Sequence, residues 1–373
     1  VGHCAKVVTM NRRSLLSGAG AVAAAAVAGP SLAEAKAPRT YDEAVRLTWR
    51  PLDPTGGVRE IVRAATLAAN SHNTQPWRFV VTGERITIGP DFSRRCPVVD
   101  PDDHHLFASL GCAVENMVQA AVALGFKAAA GLEATGKDRV AVALDRSAPT
   151  SNILADAITK RQCTRAEYDG KAVSPQDLSK LITAATMDGV ECLIVTERSR
   201  MDAILDYVVQ GNTAQMRDQA FMKELIHWIR FNDRAAIERL DGLAARSSGN
   251  PSLPTWLGKR LLPFVMTVKG ENDKYARHVR SSAGLAVLTA SSNDKAGWIS
   301  AGRAFQRLAL QATALGIRQA FLNQPTEVAS LRPQIAAYLG IGSRRPNLIV
   351  RFGRGPVLRP SLRRPIEAVI DPA

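Results

Sequence analysis

Six polar side chains, Asn70, Ser71, His72, Asn73, Thr74 and Gln75, crowd into residues 68–79, AANSHNTQPWRF. They offer hydroxyl, amide and imidazole donors and acceptors at the density that a polar cofactor demands. Gln75-Pro76-Trp77 then stiffens the entry to a strand, because proline fixes its own φ and restricts its predecessor. By composition alone, a helix-terminating polar loop before a core Trp is the simpler reading. A second set lies in residues 158–168, ITKRQCTRAEY. There Arg161 and Arg165, four apart, project from one face of a helix or its entry turn, a geometry suited to bidentate phosphate binding. Without further context that stretch is an ordinary solvated basic turn. Arg363 and Arg364 before Pro365 form a third cationic group, which could equally be a basic tail. The five Cys (Cys4, Cys96, Cys112, Cys163, Cys192) form no CxxC pair and no ligand-like spacing with the six His, so no metal site is expected.

The elements that must position these residues occur twice. Residues 108–129, ASLGCAVENMVQAAVALGFKAA, align without gaps on residues 299–320, ISAGRAFQRLALQATALGIRQA, with Gly111 on Gly302 and Ala123-Leu124-Gly125 on Ala314-Leu315-Gly316. Both read as long apolar-rich helices that close at a glycine. Upstream, Ala64-Ala65-Thr66 precedes the strand 79–82 and Ala184-Ala185-Thr186 precedes the strand 193–196. One echo could be a chance match of Ala-rich helices. Two in the same order favour an internal duplication. The copies differ between Ala-Ala-Thr and the strand: residues 67–78 hold the polar loop in the first, whereas the second has only residues 187–192. Duplication of a dimer's subunit would permit that loss and leave one working site per chain.

The loop closely resembles the flavin-binding signature of nitroreductases, in which a small residue, Asn and Gln-Pro-Trp precede a core strand. The resemblance implies FMN contacts for Ser71, His72, Asn73 and Gln75, with Arg78 a weaker member. Residues 158–168 resemble the family's opening Arg-x-Ser-x-Arg/Lys pattern; Arg161 and Arg165 match the phosphate-holding cations, Gln162 the position between, and Cys163 replaces the usual Ser. The terminal basic-Pro segment implies a further phosphate contact for Arg364, with Arg363 as the fallback. Where nitroreductases carry Glu-Gly near the hydride-accepting flavin nitrogen, this chain has Leu322, Asn323 and Gln324, a departure that weighs against ordinary nitroreductase activity. The implied fold is α+β and nitroreductase-like, with two tandem halves forming a single-chain pseudo-dimer, and the likeness is closest to the fused, Acg-like branch. It sets the halves at 36–150 and 151–373, with an insertion at about 231–266 that would act as a lid over the flavin.

Residues 10–35 read as a twin-arginine signal peptide, with Arg12-Arg13 before a weakly apolar run and small residues suited to cleavage; residues 1–9 look like an upstream start-site artefact. An ordinary export signal or an uncleaved anchor is the alternative. The expectation is a periplasmic or otherwise exported protein with no stable membrane span after cleavage. A net charge of +14 could serve nucleic-acid binding, but the cations are scattered and aromatics make up only 5% of the chain, which favours a generally basic surface that steers anionic cofactors such as FMN or NADPH. The expected function is an FMN-dependent oxidoreductase that reduces nitro or quinone-like acceptors with NAD(P)H or another donor; no protein acid or base is assigned. A non-catalytic protein that stores or sequesters FMN is the alternative. A pseudo-dimer already satisfies its interface, so the expected state is a monomer.

Overall fold

The computed structural model describes residues 38–133 and 138–372. The expected signal peptide lies outside the described residues. In chain order the strands are β1 (Trp77–Thr82), β2 (Arg85–Pro90), β3 (Phe126–Leu132), β4 (Val140–Arg146), β5 (Val190–Val195), β6 (Ile229–Arg230), β7 (Leu243–Ala244), β8 (Gly284–Ala290), β9 (Arg318–Phe321), β10 (Leu348–Gly353) and β11 (Ile370–Asp371). One sheet has the order β11-β1-β2-β4-β3 and a second the order β5-β8-β10-β9; β6 and β7 pair in parallel by themselves. The chain end returns to the first sheet, where β11 runs parallel to β1 with Phe79 opposite Ile370.

Hydrophobic pattern explains which strands are covered. In β1, Trp77 and Phe79 are fully buried while Arg78 and Val80, which alternate with them, are not, the alternation of a sheet covered better on one face. GLAVLTA in β8 is buried throughout, as a central strand covered on both faces must be. The two strands expected from sequence are present as β1 and β5, each beginning two or three residues earlier than the apolar run suggested.

Two 20-residue helices, His104–Ala123 and Lys295–Ala314, cross between the sheets. Their approach is set by glycine. A Cβ on Gly111 would lie 2.0 Å from the carbonyl oxygen of Ile299, and one on Gly302 would lie 2.0 Å from that of Ala108. Ala108 and Ile299 occupy equivalent positions in the sequence alignment, as do the two glycines, so the contact is reciprocal. Around it, buried Glu115 accepts from Arg303 and Arg307, and the Gln306 amide donates to Asn116 at 2.7 Å. The largest core cluster joins Trp77, Phe79 and Phe107 to Phe305, Leu348 and Val350, so one hydrophobic core spans both sheets.

Candidate functional site

Helix Gly57–Thr66 ends just before the polar loop, which its own side chains fold. The Asn70 carboxamide oxygen accepts the Gln75 N–H at 2.9 Å, and His72, Asn73 and Gln75 all take left-handed backbone conformations, with φ of 47°, 54° and 54°. Such conformations are costly outside glycine and persist only where surrounding contacts fix them. Here Asn73 donates to the carbonyls of Gly242 and Leu362 and accepts from Arg363 at 2.7 Å. The Gln75 amide donates to Leu240 O at 2.8 Å while its oxygen accepts the Arg364 N–H at 2.8 Å. The loop is therefore stitched to residues 240–242 and to the C-terminal segment.

Those bonds correct three expected cofactor contacts. Gln75 is fully buried, and both ends of its amide are engaged in that stitching, away from the cavity described below. Arg78 follows strand alternation away from the buried face and pairs with Asp371 and the Ala368 carbonyl. Arg364 donates to Ala368 O at 2.7 Å and lies 3.9 Å from Asp91. Its neighbour Arg363 turns inward instead, where it is buried and bonds to the carbonyls of Thr66 and Ala68.

Ser71 and His72 line a cavity of about 350 Å³ together with Arg165, Asn323 and Gln324. A smaller recess of about 80 Å³ shares Ala69, Asn70, Arg165 and Phe321 with that cavity and continues it. Arg161, Arg165, Arg359 and Arg363 line the recess, beside Asn73, Gln162 and Cys163, and no carboxylate does. Gln162 holds the chain at Leu358 with both ends of its amide, at 2.6 and 3.1 Å, and Cys163 sits half-buried opposite Gln319. Arg161 is buried; one Nη donates to Leu67 O at 3.2 Å, while its Nε and other Nη have no hydrogen-bond partner. Burial, then the Arg161 charge, pushes Arg363 down to about 9, and burial also lowers Arg161. Two buried guanidiniums without a carboxylate are an unfavourable arrangement that a bound anion would relieve.

The cavity also contains groups that the sequence did not single out. His105 Nε2 lies 3.6 Å from Glu327, whose other oxygen accepts from the Gln215 amide at 2.6 Å. Burial raises the Glu327 carboxyl and lowers His105 to about 4, so each is driven toward its neutral form. His72, 3.2 Å from Ser71 Oγ, is likewise lowered to about 4 by burial and then by Arg165. Asn70 lines both cavity and recess, and Gln324 presents a buried carboxamide oxygen without a partner, whereas the Asn323 oxygen is occupied by the Ile349 N–H. Their wide separation along the chain leaves no local signal for His105 and Glu327, whereas Asn70 stands among the six polar residues of the loop. Asp100, His104 and His105 bring ligand-type atoms within 4.8 Å of one another, but both Asp100 oxygens accept helix N–H groups of His105 and Leu106.

Residues 231–266 form part of the cavity wall. Phe231, Leu253, Leu262 and Met266 contribute to its wall, and helix Thr255–Val265 packs so closely that a Cβ on Gly258 would lie 2.2 Å from the Phe231 ring.

The profile of the Nitroreductase family matches residues 158–354, more than half of the 373-residue chain. The chain belongs to the nitroreductase family. The matched residues of this nitroreductase-family protein include the Arg161–Arg165 segment and both β8 and β10, and exclude the polar loop at 68–79. Two Mycobacterium tuberculosis proteins are similar over a longer span. "Putative NAD(P)H nitroreductase Rv3131" is 28% identical over 330 residues, which cover 84% of this chain and 91% of the relative. "Putative NAD(P)H nitroreductase acg" is 23% identical over 331 residues, 84% of this chain and 95% of that relative. Among solved structures, an FMN-bound nitroreductase from Desulfitobacterium hafniense covers 58% of this chain and 97% of its own, at 14% identity and a TM-score of 0.37. The FMN-dependent nitroreductase NfnB of Mycobacterium smegmatis, solved with NADPH, covers 54% and 87% at 16% identity and a TM-score of 0.35.

Proposed function

We propose that the protein is an FMN-binding oxidoreductase that passes reducing equivalents from NAD(P)H or another donor to a nitroaromatic or quinone-like acceptor. The observation that carries this reading is the recess. Buried Arg161 has two unpartnered N–H groups, Arg363 stands beside it, no carboxylate intervenes, and the recess opens directly into the larger cavity. A phosphate at one end of an elongated cofactor, with an aromatic ring at the other, fits that shape and charge. Arg161, Arg363 and exposed Arg165 would hold the phosphate, with Cys163 alongside. Ser71, His72 and the Gln324 oxygen would meet the ring and its side chain. FMN supplies the two-electron chemistry. The protein's own share is to orient the ring, to exclude water beneath residues 231–266, and to keep a proton between His105 and Glu327 within the cavity.

The reciprocal contact of Gly111 and Gly302 supports reading the chain as two nitroreductase-like halves, 36–150 and 151–373, folded as a pseudo-dimer with one retained site. A monomer with one FMN follows from that reading. Export by the twin-arginine route belongs to it as well, on the strength of Arg12-Arg13 and the weakly apolar run after them. Cell fractionation of the tagged protein, with the two arginines replaced by lysine, tests it.

A second reading, an FMN-storing protein without turnover, is favoured by the cover at 231–266 and by Asn323-Gln324 where Glu-Gly was expected. The first experiment is the visible spectrum of the purified protein with chromatographic quantification of released flavin. About one FMN per chain supports either reading; colourless protein that takes up no added FMN removes both. Sustained oxidation of NADPH with a nitro or quinone acceptor then selects the enzyme.

A further inference from the structure

Helix Thr255–Val265, TWLGKRLLPFV, has two apolar sides. The inner side, with Gly258 and Leu262, seals the cavity against Phe231. The outer side is left bare: Trp256 is 69% exposed and Phe264 77%, and Val265 at the cavity rim is 75% exposed. Lys259 and Arg260 stand exposed between the two aromatics and take part in no ion pair among the described residues. Trp256, Arg260 and Phe264 follow one another at intervals of four, so they share a face. Residues 242–270 contain Arg246, Lys259, Arg260 and Lys269 and no Asp or Glu, on a chain of net charge +14.

Exposed large apolar groups of this size mark a surface that is covered by something. Aromatic side chains interleaved with unpaired cations are the composition of a helix that lies in the headgroup region of a bilayer, the rings entering the acyl boundary and the cations meeting anionic lipid. The face carries no carboxylate to repel such a surface. We propose that helix Thr255–Val265 docks the protein on an anionic phospholipid bilayer, with Trp256 and Phe264 inserted and Lys259 and Arg260 on the headgroups. Leu261 and Val265 both line the cavity and reach the outer surface, so the docked helix sets the cavity rim against the lipid. This inference goes beyond the flavin reading and does not depend on it.

The test uses a chain beginning at Pro38, where the compact unit Pro38–Ala373 starts, so that the weakly apolar run at residues 15–29 adds no affinity for lipid of its own. It is sedimented with phosphatidylglycerol–phosphatidylcholine vesicles and with phosphatidylcholine alone. Binding to the anionic vesicles is expected, at least about tenfold stronger than to the neutral ones, in keeping with the roughly additive attraction of each basic residue to an anionic surface. The Trp256→Ser/Phe264→Ser variant should lose about tenfold in partitioning with an unchanged melting temperature, since both rings are exposed. Lys259→Glu/Arg260→Glu should lose binding to the anionic vesicles alone. No sedimentation with anionic vesicles, or sedimentation that both double variants retain, overturns the proposal. So does a light-scattering mass of twice the chain that the Trp256→Ser/Phe264→Ser variant returns to a single chain, because the face would then bind a second copy.

Discussion

Arg161 is the residue on which the flavin reading turns. Hydrogen bonds to charged groups contribute about 1.5–3 kcal/mol, so Arg161→Gln should weaken FMN binding by roughly 10- to 100-fold in a fluorescence-quenching titration. The same substitution removes the charge that opposes Arg363, so the flavin-free protein should melt no lower than the parent. A stabilised apo protein that binds flavin poorly is the signature of an anion site. Arg78→Gln, in contrast, should leave FMN affinity within a factor of about 3, because Arg78 is turned to Asp371 and contributes none of the phosphate bonds whose strength sets that affinity.

Titration belongs to this scale too. His72 and His105 are lowered to about 4 and His278 to about 3, all by burial first, and His104 falls well below its ordinary value. Each is neutral in the native state and free to protonate on unfolding below about pH 6.5. Their contribution to stability is present above that pH and is lost as pH falls through the window from 6.5 to 4. Asp100, raised to about 6, and Asp103 and Glu327, also raised by burial, act in the opposite sense, favouring the fold as the pH drops below their native values. Four imidazoles against three carboxyls leave a net loss. The melting temperature should be lower at pH 5 than at pH 7 by on the order of a few °C, and a flat or rising profile would show that these imidazoles are hydrated.

Among the elements, the crossing of helices His104–Ala123 and Lys295–Ala314 has the least room. At 2.0 Å from a backbone carbonyl, the Cβ of Gly111→Ala requires the helices to separate, and overpacking of this kind costs about 1–3 kcal/mol or more. Gly302→Ala should cost a similar amount, since its contact is the mirror of the first. Gly131→Ala in β3, where a Cβ meets nothing within 4 Å, is the control and should be neutral or slightly stabilising. Urea denaturation midpoints compare the three. Unequal losses at Gly111 and Gly302 would argue against the two-fold relation of the helices.

On the scale of the whole molecule, the largest core cluster runs through both sheets, and β11 closes the first sheet with the last residues of the second segment. Two sheets that share a core cannot unfold separately. Calorimetry of the chain should therefore show one cooperative transition, and two resolved transitions would contradict the shared core. On the proposed pseudo-dimer reading, light scattering should give the mass of a single chain, because the reciprocal Gly111–Gly302 contact is made within it.

How much of this was legible beforehand depends on the range of the physics involved. The polar loop, strands β1 and β5 and the paired long helices follow from local pattern, since apolar periodicity, Pro76 and the repeated glycines act within a few residues of one another. Arg78 could have been placed by the same means: between buried Trp77 and Phe79, strand alternation turns it away. The direction of Gln75 was not legible, because it depends on three left-handed residues held by Gly242, Leu362 and Arg363 from far along the chain. The choice between Arg363 and Arg364 was equally closed, for neighbours in an extended segment point to opposite sides and only the packed loop decides which side is the interior. The meeting of His105 with Glu327 lay furthest from reach. Local causes set the two long helices, the polar loop and the cationic segments; which of their side chains face the cavity was left to packing, because long-range contacts settle where a side chain points.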